Sequence, residues 1–226
     1  MNRNQIKYLA ALAMLADHIA WAFMPTDSIA AQLIHFAGRL TGPAMAFFLA
    51  EGYLHTRSVK RYALRLGIFA LISWIPFSLF ETGRWPTMHF GVIYTLLIGL
   101  LGIAFWDHCD WPYSAKTAVT VLLSLLSLPG DWAVSGVLWP LFFFIFREDE
   151  DRKWRAYYAV AAAKIAGLLV TEGRTALFQT GILAVPFLLR GCYNGESGSR
   201  HPFHKWFFFV FYPAHLLLLW ALKRVW

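Results

Sequence analysis

Ile6-Lys7-Tyr8-Leu9-Ala10-Ala11-Leu12-Ala13-Met14-Leu15-Ala16-Asp17-His18-Ile19-Ala20-Trp21 is an apolar run interrupted by three ionisable residues, Lys7, Asp17 and His18. Its length and hydrophobicity predict a membrane helix. Lys7 and His18 are about three helical turns apart, so they share one face at a separation of roughly 16 Å. Burying a charge in so apolar a helix costs about 2.5–3.5 kcal/mol, which makes Asp17 and His18 candidates for function. The purely structural alternative is a lysine snorkelling to the interface and a hydrogen-bonded pair that packs helices.

Outward from this run the composition has the same character. Hydrophobic residues make up 58% of the 226, with 20 Phe and 11 Trp. Charged residues are 15%, against about 25% in a soluble domain. The expectation is an all-α, polytopic integral membrane bundle forming one domain over residues 1–226. No cleavage site follows the first apolar stretch, so that helix is expected to be retained. Cys109 and Cys192 lie in short polar loops, and no disulfide is expected if both loops are cytoplasmic.

Hydropathy predicts spans at 6–24, 31–54, 60–80, 89–106, 115–129, 132–147, 154–171, 175–190 and 205–223, a count of eight or nine. The segments flanking Pro129-Gly130-Asp131 read either as two short tilted helices or as a re-entrant pair. With the N-terminus inside, fourteen of the 20 Lys and Arg fall on the cytoplasmic side, the direction that the positive-inside rule requires. The net charge of +7 suits loops facing anionic lipid and calls for no nucleic-acid partner. No metal is expected.

The second span holds Gly38-Arg39-Leu40-Thr41-Gly42-Pro43 and ends in Glu51-Gly52-Tyr53-Leu54-His55. Glu51 and His55 are one turn apart on one face, and Pro43 with Gly42 should bend the helix. Arg57, Lys60, Arg61 and Arg65 follow at spacings of three and four, a cationic surface suited to phosphates or simply positive-inside residues. Met88-His89-Phe90 opens a span containing Tyr94, and Asp131 reads by default as the N-cap of the following helix. The last span carries Tyr212-Pro213-Ala214-His215, placing a second histidine within the membrane.

Together these stretches resemble the TraX family of bacterial membrane proteins, whose archetype is associated with acetylation of conjugative pilin. The resemblance runs through Asp17-His18, Gly38-Arg39 to Pro43, Glu51-Gly52-Tyr53, His55-Thr56-Arg57, Ser73 to Phe77, Asp131 to Gly136 and Phe211 to Leu216. The family in turn resembles the type 3 membrane acyltransferase superfamily. That superfamily's Arg or Lys, ten residues, then His is met by Lys7 and His18; its Phe-Phe-x-x-Ser-Gly-Phe is echoed by Phe47 to Tyr53, with Glu51 in place of Ser. The predicted spans are fewer than the superfamily's usual ten.

The resemblance implies a bacterial inner-membrane acyltransferase that takes an acetyl group from cytoplasmic acetyl-CoA. The acceptor would be an amine or hydroxyl on a pilin-like peptide, glycan, lipid or small molecule. It implies His18 as general base, with Asp17, Arg39, Glu51 and His215 as further catalytic candidates. Lys7, Arg57, Arg61 and Arg65 would hold the CoA phosphates, and His55, Tyr94 and Tyr212 would meet substrate. Because adjacent helical residues point about 100° apart, Asp17 should contact another helix rather than His18. Arg39 could pair with Asp17 or Glu51. The competing class is a small proton-coupled transporter using the same ionisable groups as a relay, although no inverted repeat is visible. A haem-binding role for His18 and His215 would give a coloured protein.

Overall fold

The computed structural model describes residues 1–225. The chain runs through α1 (Arg3–Phe23), α2 (Ile29–Gly38), α3 (Thr41–Leu54), α4 (Val59–Thr82), α5 (Val92–His108), α6 (Tyr113–Leu126) and α7 (Ala133–Ile145). It continues through α8 (Glu150–Glu172), a 3-10 segment (Gly173–Ala184), α9 (Val185–Gly191) and α10 (Pro202–Lys223). No strand occurs among the described residues; Phe90 and Gly130 form an isolated bridge. Four stretches are long and apolar enough to cross a membrane: α1, Ile29–Leu54, α4 and α10. Helices α5, α6 and α7 are apolar but shorter. The all-helical membrane character expected from composition is therefore present.

The helices group into two compact units, Met1–Met45 with Ala161–Trp226, and Ala46–Val160. In the first, α1 packs on α2 and α10, and α2 packs on the 3-10 segment. Asn2 and Gln5 close a capping box at the start of α1, satisfying two amides that a helix start leaves without internal partners. Gln32 ties α2 to the 3-10 segment, its Nε2 donating to the Thr175 carbonyl at 2.9 Å and its Oε1 accepting from the Phe178 amide at 3.0 Å. The expected bend near Pro43 is a full interruption, but it lies earlier, at Arg39 and Leu40. Pro43 falls in the first turn of α3, where its missing amide hydrogen costs nothing.

The expected 175–190 span is not one α-helix. Gly173, at φ 64°, turns the chain after α8, and a 3-10 run occupies Gly173–Ala184 before α9 resumes. Pro186 sits in the first turn of α9, where a fixed φ favours a fresh helix start.

In the second unit, α5 packs on α4, α6 and α7. The α5–α7 contact depends on small residues. A Cβ on Gly99 would stand 2.8 Å from the Gly136 carbonyl and 2.8 Å from Pro140 Cγ, and one on Gly136 would stand 2.9 Å from Thr95 Cβ. Such positions let helix backbones approach closely where lipid offers no hydrophobic drive to associate. Tyr53 of α3 donates to Asp107 Oδ2 at 2.6 Å, and Trp139 stacks on Tyr157 with ring centroids 5.5 Å apart.

Two local expectations are corrected here. Met88, His89 and Phe90 form a loop ahead of α5 rather than its first turn, because Phe90 pairs with the turn after α6. Its amide donates to the Pro129 carbonyl at 2.9 Å and its carbonyl accepts from the Asp131 amide at 2.7 Å. Asp131 is thereby drawn away from the cap position, and the N-cap of α7 is Trp132, at φ 65° and without a side-chain cap bond. Left-handed backbone at a bulky residue costs on the order of 1–3 kcal/mol and persists only when the surroundings enforce it; the buried Trp132 ring, 5.7 Å from that of Trp139, supplies part of that constraint.

Candidate functional site

In the first unit, α1 presents Asp17 and His18 to different neighbours, as the 100° step between adjacent residues requires. Asp17 faces α2. Its Oδ1 accepts from His35 Nδ1 at 2.8 Å, and its Oδ2 accepts from an Arg39 guanidinium nitrogen at 2.7 Å. Gly38 makes this approach possible, since a Cβ there would lie 2.5 Å from Asp17 Cβ and Cγ. The carboxylate and the guanidinium cancel in charge, which is the condition for burying either. Asp17 is thus one of the two partners considered for Arg39.

His35 is completely buried. Its ring lies 4.3 Å from Trp21 and 5.1 Å from Phe178, and the Arg39 guanidinium rests 5.1 Å over the same Phe178 ring. With Nδ1–H donating to the carboxylate, the neutral ring carries its lone pair on Nε2. Among the described residues Nε2 has no hydrogen-bond partner, and neither has Oε1 of the buried Gln179, the residue after Phe178. Leaving such an atom unsatisfied costs about 1–3 kcal/mol.

His18 faces α10. Its Nδ1 lies 2.7 Å from His215 Nε2, with the two ring planes 12° apart. His215 Nδ1 in turn lies 2.7 Å from the Phe211 carbonyl, so Nδ1 of His215 must be the N–H donor. In the neutral pair this assigns every proton: His215 Nε2 accepts from His18 Nδ1–H, and the lone pair of His18 falls on Nε2. The ring of Phe211 lies 4.7 Å from that of His215, and Tyr212 meets it edge-on at 5.8 Å. Towards the start of both helices, Lys7 Nζ sits 4.4 Å over the Phe208 ring, and Tyr8 and His204 share a hydrogen bond of 2.8 Å. Lys7 and His18 thus both turn to α10, as their spacing predicts.

The remaining candidates lie in the second unit. His55 falls just past the end of α3 and bonds through Nδ1 to the Glu51 carbonyl at 2.8 Å. Ser58 caps α4, accepting from the Arg61 amide at 3.3 Å. Arg57, Lys60 and Arg61 are exposed around that helix start, and Arg65 lies 5.0 Å over the Tyr62 ring. Cations beside helix amides make an anion-accepting surface. Tyr94 has a structural tie, its hydroxyl donating to the Leu126 carbonyl at 2.8 Å.

The model of the TraX protein family matches residues 2–223. The chain belongs to the TraX family. It is also similar to a probable fimbrial assembly protein FimC, serogroup H1, of Dichelobacter nodosus, at 30% identity over 99% of this chain and 98% of that protein. No solved structure matches. In this TraX-family chain the sequence reading singled out Asp17, His18, Arg39 and His215, and the fold gathers them as two hydrogen-bonded groups on one helix. His35 was missed. It lies in Leu33-Ile34-His35-Phe36 with no polar neighbour to mark it, yet it stands four residues before Arg39, the spacing that puts two side chains on one helix face.

Proposed function

We propose that this chain is a membrane-embedded acyltransferase of fimbrial or pilus assembly, moving an acetyl group from acetyl-CoA to an amine or hydroxyl. The observation that supports it best is the pair of buried polar groups built on Asp17 and His18, each ending in an imidazole that, when neutral, carries its lone pair on Nε2. A fixed lone pair in an apolar surrounding is what general-base catalysis needs. As the acceptor's nitrogen or oxygen attacks the thioester carbon, its proton passes to imidazole nitrogen; the sequence reading assigns this to His18. The carbon–sulfur bond then breaks with its electron pair on sulfur, and the thiolate takes the proton back. Arg39, oriented by Asp17, is the cation proposed to stabilise the oxyanion between these steps.

The donor's phosphates are assigned to Arg57, Arg61 and Arg65 at the start of α4. Lys7, on α1, is a separate candidate for the donor's anionic groups. The proposed topology has the N-terminus in the cytoplasm and eight or nine crossings of the bacterial inner membrane, in line with the distribution of Lys and Arg. The name of the Dichelobacter relative favours a pilin-like peptide among the acceptors.

Calorimetry of acetyl-CoA with detergent-purified protein tests the reading. Saturable binding is expected, lost when Arg57, Arg61 and Arg65 are changed together to Gln, weakened in Lys7→Ala, and retained in His18→Ala. Absence of binding in folded wild-type protein would overturn the reading and favour a proton-coupled transporter.

A further inference from the structure

When neutral, two imidazoles of the first unit carry a lone pair on Nε2, and they differ in what stands behind the ring. Behind His18 is a neutral imidazole, that of His215, at 2.7 Å. Behind His35 is a carboxylate, Asp17 Oδ1, at 2.8 Å. When a base takes a proton its ring becomes a cation, and a carboxylate on the far nitrogen both fixes the ring and stabilises that charge. His35 meets this condition directly, whereas a proton on His18 Nε2 would face another imidazole. His35 Nε2 is also a buried atom that the described residues leave without a hydrogen-bond partner, and Gln179 Oε1, next in sequence to the Phe178 that flanks the ring, is another. Two fully or nearly buried acceptor atoms without donors are suited to a ligand that brings its own N–H or O–H.

We propose that the general base of the acyl transfer is His35, oriented by Asp17. The proposal rests on the acyltransferase reading and reassigns the base within it. The acceptor's N–H or O–H donates to His35 Nε2; as its nitrogen or oxygen bonds to the thioester carbon, that proton moves to Nε2 and the imidazolium is held against Asp17. Collapse of the tetrahedral intermediate breaks the carbon–sulfur bond, the pair goes to sulfur, and the thiolate recovers the proton as CoA thiol. His18 and His215 are left as a neutral, hydrogen-bonded pair.

The test uses hydroxylamine as a surrogate acceptor, with CoA thiol release as the readout and acetyl-CoA affinity measured on every variant. His35→Asn keeps an N–H donor for Asp17 but has no ring nitrogen to accept a proton. Its acetyl-CoA affinity should stay within about threefold of wild type while CoA release falls about 100-fold or more, the range general-base catalysis supplies, and falls further than in His18→Asn. Added imidazole should restore part of the rate in His35→Ala, a rescue that a purely structural role would not produce. CoA release in His35→Asn within tenfold of wild type, or a larger loss in His18→Asn, overturns the assignment to His35 and leaves the acyltransferase reading standing. Wild-type protein that binds no acetyl-CoA, or releases no CoA thiol above a heat-denatured control, overturns both.

Discussion

Two groups depend on the single carboxylate of Asp17, His35 at one oxygen and Arg39 at the other. Taking one partner from a buried pair strands the other and costs about 3–5 kcal/mol. Asp17→Ala should therefore lower the thermal midpoint of the detergent-solubilised protein sharply. The double variant Asp17→Ala/Arg39→Ala should recover part of that loss, since it strands no charge; scanning fluorimetry on the wild type, the two single variants and the double variant checks the coupling. Much of this cluster was legible from sequence, where charges inside apolar helices are conspicuous. His35 was not, because a histidine among Leu, Ile and Phe resembles an interfacial or packing residue until the carboxylate opposite is known. Gly38 was legible as part of a motif but not as the space into which Asp17 fits, since that depends on how closely α1 approaches α2.

Among the helices, α5 and α7 are held at a distance set by Gly99 and Gly136. Gly99→Ala places a methyl group 2.8 Å from backbone and proline atoms, and overpacking of this kind costs about 1–3 kcal/mol. A lower thermal midpoint is expected, with an additional loss in the Gly99→Ala/Gly136→Ala protein that is smaller than the sum, because one enforced separation relieves both clashes. Hydropathy located the apolar segments, since greasiness is a local property. It misplaced their ends wherever tertiary pairing decides them. The α5 start is displaced by the Phe90 bridge to the turn at Gly130, the α7 cap passes from Asp131 to Trp132, and the segment after Gly173 adopts 3-10 geometry instead of a regular α-helix.

For the whole chain, the proposed topology makes its two cysteines natural reporters. Cys192 is an exposed free thiol and Cys109 a half-buried one, and with the N-terminus inside both face the cytoplasm. A membrane-impermeant maleimide should leave Cys192 unlabelled in intact spheroplasts and label it once the membrane is opened; labelling in intact spheroplasts would reverse the orientation. The broad class of the molecule could be read from composition because eleven Trp, 20 Phe and a small charged fraction admit few soluble solutions. The crossing count could not, because several apolar helices are shorter than the bilayer is thick and hydropathy alone does not say how such helices lie.

The Asp17–Arg39 pair also bears on how the protein is made. As α1 leaves the ribosome it carries a carboxylate that lipid rejects, and the guanidinium that neutralises it follows twenty-two residues later in the chain. Helix α1 is thus poorly suited to settle in the bilayer alone, and insertion as a hairpin with α2 is the cheaper route. Biogenesis would then begin with a two-helix unit already closed on its own charges, and the Asp17–His35–Arg39 cluster would exist before the rest of the chain has been synthesised.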